Sequence, residues 1–286
     1  VSRRSERQLR DELIQFSHLT YERHLLVAFD GNLSVRLSDD LVLCTQAGCH
    51  KGLLTDEQIV VIDLNGAKVR GVGEPTSEMA MHLACYRRRA DIEAVVHAHP
   101  PTCIAFTVAG VSMAKCVLPE VVLTLGSIPT LRYETTGTHK LADLVGDAMV
   151  MNDGVMMDRH GAVCVGTSLL DAFSKLETME HTAKIMRDAR GLGGMKELPA
   201  DEAVKLRSMG LKRYGGAPGA VAMADEPGAD LPEVCVGCSG CGNPTEEGIA
   251  PKVGFSMARL TNTTVRPQTQ TQLEREVRKA IAEHLA

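Results

Sequence analysis

The chain has 286 residues, a formal net charge of −5 and nine cysteines. That length supports one sizeable core with residues to spare, and mild acidity argues against nucleic acid as a partner, because phosphate-backbone binding needs a basic face. No apolar stretch approaches membrane-spanning length, and Val1-Ser2-Arg3-Arg4 leads into polar residues instead of a signal-peptide core, so the expectation is a soluble, cytoplasmic protein with no membrane partner.

Residues 5–28 read as a helix, with Leu9, Leu13, Phe16 and Leu19 near helical spacing. Asp30-Gly31-Asn32 is a turn signal, followed by two short strands at 33–37 and 41–45. Residues 59–64 form a β-branched buried strand that runs into a hairpin turn at Asn65-Gly66. Ser77 is placed to cap a helix over 78–88, with Met79, His82, Leu83 and Tyr86 on its packed side. Arg87-Arg88-Arg89 then reads as a solvated C-terminal turn whose cations complement the helix dipole. A strand over 92–99 is stopped by Pro100-Pro101, and 102–108 is a second helix. There follow an apolar run at 121–125, a helix over 139–151, two strands across 155–165 and a helix over 168–190. Strands and helices mixed in this way, with hairpin-like joins, predict an α/β fold: a three-layer α/β/α sandwich around a mainly antiparallel sheet.

After Tyr214 the composition changes. Residues 215–228 are small, polar and proline-bearing, which is linker chemistry. Cys44, Cys49, Cys85, Cys103, Cys116 and Cys164 are scattered among apolar residues and read as small hydrophobes in a reducing compartment. Cys235, Cys238 and Cys241 cluster among glycines with spacing that suits a second metal or an iron–sulfur site, although three thiolates stand where four are usual. The other reading of that cluster is a linker with redox-prone thiols. Residues 272–286 return to helix, with Leu273, Val277, Ile281 and Leu285 on one face. So short a helix is not stable alone in water, which points to docking on a groove elsewhere or on its own assembly. The expected organisation is a catalytic domain at 1–214, a Cys-bearing linker at 215–271 and a C-terminal amphipathic helix at 272–286.

The chemistry is concentrated in three histidines and a glutamate. His97 and His99, in Val96-His97-Ala98-His99-Pro100, alternate with strand spacing, so both rings point to one side of a sheet. With His160 from Asp158-Arg159-His160-Gly161 they make a three-histidine divalent-metal site. A fourth position stays open for water, substrate or Glu78, which is the catalytic zinc pattern. Around them stand Gly31-Asn32-Leu33-Ser34-Val35-Arg36-Leu37, Thr45-Gln46-Ala47-Gly48, Lys51-Gly52 and Pro75-Thr76-Ser77-Glu78. In this order and spacing the set resembles the class II aldolase/adducin family, and most closely its L-fuculose-1-phosphate aldolase branch, from the first helix to Tyr214.

The resemblance implies a homotetramer with active sites between subunits and one Zn2+ per chain held by His97, His99 and His160. It makes Glu78 a swinging fourth ligand that becomes general base, and it places Asn32, Thr45, Gly48, Thr76 and Ser77 on a substrate phosphate. The implied reaction is retro-aldol cleavage of a ketose 1-phosphate such as L-fuculose 1-phosphate or L-rhamnulose 1-phosphate. Its products are dihydroxyacetone phosphate and L-lactaldehyde, with the metal as Lewis acid. One departure matters: where the family carries a proton-donating tyrosine from a neighbouring subunit, this chain has Leu118. Glu120 could take that acid role, and Tyr214 falls where the family has a second active-site tyrosine. The departure keeps a sugar-phosphate epimerase, dehydratase or decarboxylase on the same fold as alternatives. A non-enzymatic adducin-like protein is a further one, although that branch lacks the metal histidines. The last helix resembles the encapsulation peptides that carry enzymes into bacterial microcompartments, which implies shell proteins as partners.

Overall fold

Alternate residues of the short β-branched runs face opposite ways, so the buried central strands feed two cores. A computed structural model describes residues 4–217 and carries those runs as β1 (Asn32–Arg36), β2 (Leu41–Thr45), β3 (Ile59–Asp63), β4 (Lys68–Arg70), β5 (Ala94–Ala98), β6 (Thr130–Leu131), β7 (Gly154–Met157) and β8 (Gly161–Gly166). They form one sheet in the order β4-β3-β2-β1-β5-β8-β7-β6, antiparallel throughout except where β6 runs parallel to β7. The helices are α1 (Glu6–Glu22), α2 (Met79–Arg88), α3 (Pro101–Val108), α4 (Pro119–Thr124), α5 (His139–Ala148), α6 (Leu169–Gly191) and α7 (Ala200–Tyr214). Val35, Leu43, Val61 and Val96 pack on α1, α3, α4 and α6. Val42, Val60, Ile62 and Val95 pack on α2 and α5. The three-layer α/β/α sandwich expected from the sequence is the observed architecture.

Several local expectations need correction. The first helix stops at Glu22, not near Ala28, and the loop beyond it holds His24 and Ala28 at positive φ of 57° and 50°. Ser77 does not cap α2: the cap position is Glu78, its side chain makes no cap hydrogen bond, and Ser77 is exposed. It is the Thr76 hydroxyl that accepts from the Glu78 N–H, at 3.4 Å. Arg89 is buried, contrary to a solvated triplet: its guanidinium donates to Asp153 at 2.5 Å and to Asp91 at 2.6 Å, and it also reaches the carbonyls of Met149 and Asn152. A buried guanidinium is tolerated because carboxylates and carbonyls answer its donors. The apolar run at 121–125 belongs to α4, and β6 and α7 are elements that the sequence reading did not single out.

The scattered cysteines behave as expected of small hydrophobes. All except partly exposed Cys116 are buried, all are free, and burial pushes the Cys44 and Cys85 thiols up to about 12. Among the described residues no helix is long and apolar enough to cross a membrane. Cys235, Cys238 and Cys241, most of the linker and the helix at 272–286 lie outside the described residues.

Candidate metal centre

The site is assembled at one end of the central strands. In the antiparallel register His97 on β5 sits opposite Asn32 on β1 and Val163 on β8. Cross-strand partners share a face, so Asn32, Ser34 and His97 all turn toward α2. His99 lies just past β5, where its backbone N–H donates to the Leu25 carbonyl at 2.8 Å. His160 lies in the turn between β7 and β8, next to Arg159 at φ 54°, whose N–H donates to the Thr107 hydroxyl at 3.0 Å. Gly161 follows because nothing larger fits: a Cβ there would stand 2.5 Å from the Ala98 carbonyl oxygen and 2.7 Å from His99 Cδ2.

The three imidazoles present donor atoms that all lie within 4.8 Å of one another. His97 Nδ1 is 2.9 Å from the Ala162 carbonyl, which can only accept, so the hydrogen is on Nδ1 and the Nε2 lone pair faces the site. His99 Nδ1 is 3.2 Å from Asp30 Oδ2 in the same manner, and its Nε2 is 3.2 Å from His97 Nε2. Two lone pairs this close repel unless a cation or a proton lies between them. This donor set fits a divalent cation, with the carbonyl and carboxylate behind the rings fixing tautomer and orientation.

Glu78 closes the fourth side. Its Oε2 is 3.0 Å from His97 Nε2, and its Oε1 is 3.3 Å from His160 Nε2 with no hydrogen-bond partner. Burial alone would raise its pKa, but the His97 and His160 rings and the Asn32 amide outweigh burial and hold the carboxyl well below the usual range. Burial pushes His160 down to about 4, helped by His97, and it also lowers His99. At neutral pH His99 and His160 are therefore uncharged and Glu78 is ionised, protonation states that cation binding requires.

The segments expected to hold a phosphate are joined. Thr45 ends β2 with its hydroxyl accepting from the Leu33 N–H at 3.4 Å. Gln46 bridges to Pro75, and the Ala47 N–H donates to the Glu74 carbonyl at 2.8 Å, which lays the 45–48 turn beside Thr76 and Ser77. Gly48, at φ 66°, is exposed with open space where a Cβ would stand. Asn32 is buried and its amide already donates to Glu78 Oε2 at 3.0 Å. Glu120 and Tyr214 are placed elsewhere in this chain. Glu120 lines a groove of about 1030 Å³ with Glu22, Glu177 and His181, and none of the triad borders it. Tyr214 is exposed at the end of α7 under the Arg213 guanidinium.

Sequence reasoning missed Asp30 and Lys51. The Lys51 ammonium is buried and donates to the carbonyls of Phe29 and Cys49 at 2.8 and 2.9 Å, with burial lowering its pKa. The Lys51-Gly52 pair was visible, but nothing local announces that this lysine points inward.

Residues 11–187 match the family model for the class II aldolase and adducin N-terminal domain. An L-fuculose phosphate aldolase of Methanococcus vannielii is 36% identical over 174 residues, 61% of this chain and 93% of that protein. A 3-oxo-tetronate 4-phosphate decarboxylase of Haemophilus influenzae is 31% identical over 183 residues, 63% of this chain and 87% of its own length. Among solved structures, an L-fuculose 1-phosphate aldolase superposes with a TM-score of 0.67 at 29% identity, covering 72% of this chain and 98% of that one.

Proposed function

This chain belongs to the class II aldolase and adducin family, and from that premise we propose that it cleaves a ketose 1-phosphate, such as L-fuculose 1-phosphate or L-rhamnulose 1-phosphate, to dihydroxyacetone phosphate and L-lactaldehyde. It is a metal-dependent enzyme of a family that acts on sugar phosphates. The observation that carries the reading is the convergence of His97, His99 and His160 on a carboxylate, Glu78, that stays ionised at neutral pH. Neutral nitrogen donors with one oxygen donor suit Zn2+, which when bound supplies Lewis-acid polarisation of the substrate carbonyl.

The chain's own residues then divide the work. Glu78 is the general base, taking the proton from the carbon beside the carbonyl in the condensation direction and returning it in cleavage. Asn32, Thr45, Gly48, Thr76 and Ser77 bind the phosphate with amide, hydroxyl and backbone donors. Glu120, with Tyr214 beside the substrate, serves the site of a neighbouring copy in a homotetramer, where it moves the proton on the aldehyde oxygen. Leu118, standing where the resemblance puts a tyrosine, favours no particular aldehyde. Together with the Haemophilus influenzae decarboxylase it supports a second reading, decarboxylation of a ketoacid phosphate.

A coupled assay for dihydroxyacetone phosphate across a panel of ketose and ketoacid phosphates tests both. Triose phosphate from a ketose 1-phosphate supports the aldolase. Carbon dioxide released together with dihydroxyacetone phosphate from a four-carbon ketoacid phosphate, with no triose phosphate from any ketose 1-phosphate, replaces it with the decarboxylase.

For the regions beyond residue 214 we propose a linker at 215–271, with Cys235, Cys238 and Cys241 as a second metal or iron–sulfur site, and an encapsulation helix at 272–286. The Leu273, Val277, Ile281 and Leu285 stripe supports docking to microcompartment shell proteins. A fluorescent protein carrying 272–286 should enter co-expressed shells, and a fusion that stays diffuse refutes the idea.

A further inference from the structure

Behind Glu78 and Asn32 runs a file of buried polar groups, His82, Ser34 and Tyr86, to which the proposed reaction gives no role. Asn32 Nδ2 is 3.0 Å from Glu78 Oε2, and Asn32 Oδ1 is 2.6 Å from His82 Nε2. His82 Nδ1 is 2.7 Å from Ser34 Oγ, which is 2.9 Å from the Tyr86 hydroxyl. His82 and Ser34 are fully buried, and Tyr86 is nearly so. The geometry comes from the sheet and one helix: Asn32 and Ser34 are alternate residues of β1, and His82 and Tyr86 are one turn apart on α2. Glu78 stands one further turn back, at the start of the same helix.

Chemistry settles where each proton lies. An ionised carboxylate only accepts, so the Asn32 amide must turn its NH2 to Glu78 and its oxygen to His82. His82 Nε2 therefore carries a hydrogen. In a neutral imidazole Nδ1 is then bare, so Ser34 donates to it, and the Ser34 oxygen in turn accepts from Tyr86. The file has one consistent direction, from Tyr86 through Ser34, His82 and Asn32 to Glu78.

We propose that His82, backed by Ser34 and Tyr86, is a positioning residue for the base: it locks the Asn32 amide as a donor to Glu78. This rests on the assignment of Glu78 as general base. The reason a lock is needed is that the other contacts of Glu78 are shared. Its remaining close partners among the described residues are His97 and His160, whose lone pairs serve the cation. Once those nitrogens are committed, they no longer hold the carboxylate by hydrogen bonds, and Asn32 is the donor that remains. A freely rotating amide could present its oxygen instead and repel the carboxylate. With the oxygen tied to His82, that rotamer is lost. Groups one layer behind a metal centre typically change activity by about 10–100-fold when removed.

The test pairs a readout that needs no substrate with one that does. In histidine-labelled, zinc-loaded protein, long-range 15N–1H correlation should find His82 as the neutral tautomer with its hydrogen on Nε2, and Asn32→Ala should expose that hydrogen to faster exchange. Kinetics then compares two variants of similar polarity. The longer His82→Gln can place its amide where Nε2 was and reach Asn32, whereas His82→Asn reaches only as far as Nδ1 and Ser34. We expect His82→Gln to keep kcat near wild type and His82→Asn to lose about tenfold, with zinc content unchanged in both. Melting temperatures identify any loss that is merely structural. Equal kcat in the two variants at equal stability overturns the positioning role. So does an Nδ1–H tautomer or a charged His82 in the labelled protein. If no substrate of the panel is turned over, the aldolase reading fails, and the tautomer still decides this one.

Discussion

Glu78 has to change partners to do its chemistry, and its surroundings make that change possible. Its carboxylate is bracketed by His97 at 3.0 Å, His160 at 3.3 Å and the Asn32 amide at 3.0 Å, so it can leave the histidines without being left unpaired. Glu78→Gln removes the proton acceptor and leaves the three imidazoles. It should therefore retain about one zinc per chain while turnover falls by about a hundredfold or more. His160→Ala should lose metal and turnover together. Metal content by mass spectrometry beside initial rates separates the two, and full turnover in Glu78→Gln would remove it from the mechanism. The triad and Glu78 were legible because strand alternation, a helix start and a His-Gly turn are local patterns. Asp30 and Lys51 were not, because their roles depend on how the loop at residues 23–31 folds back. Arg89 was misread for a similar reason: basic residues ending a helix look solvated until Asp153, from a distant segment, arrives beside them.

At the scale of elements, β5 delivers His97 and His99, and α3 begins immediately afterwards at Pro101. The start of α3 has no cap of its own. Glu180, on α6 and buried, accepts from the Thr102 and Cys103 backbone N–H groups at 3.1 Å each. A carboxylate from another helix thus takes the capping role, with its charge at the favourable end of the dipole. Glu180→Ala should cost about 2–4 kcal/mol by leaving two buried donors unpaired, and Glu180→Gln should cost less because an amide oxygen still accepts. Urea denaturation of zinc-loaded protein measures both, and equal stability of Glu180→Ala and wild type would show that water replaces the carboxylate. The existence of α3 was readable from Pro100-Pro101 and the run after it, but its cap was not, since 77 residues separate Cys103 from Glu180. The same limit hid β6, whose two residues pair in parallel with β7 and carry no period. α6 and the alternating strands β1, β2, β3 and β5, by contrast, were recognised to within a few residues at their ends.

For the whole molecule, the informative separation is between what converges and what does not. One chain brings the triad, Glu78 and the 45–48 turn together, while Glu120 faces a groove bounded by α1 and α6 that contains none of them. The sandwich was legible in the alternation of strands and helices, whereas an arrangement of copies leaves no period in a sequence. If a homotetramer completes each site with a neighbour's Glu120, two inactive proteins should repair each other. Glu78→Gln supplies intact Glu120, and Glu120→Gln supplies intact Glu78. Mixed by unfolding and refolding together, equal amounts should assemble rings in which about a quarter of the interfaces pair the two intact residues. Turnover should then rise from near zero to about that fraction of wild type, where each variant refolded alone stays inactive. Sedimentation of the mixture confirms that mixed assemblies formed. Tetramers that mix without regaining turnover would place both residues in the same subunit's site, and a Glu120→Gln protein with wild-type turnover would remove Glu120 from the reaction.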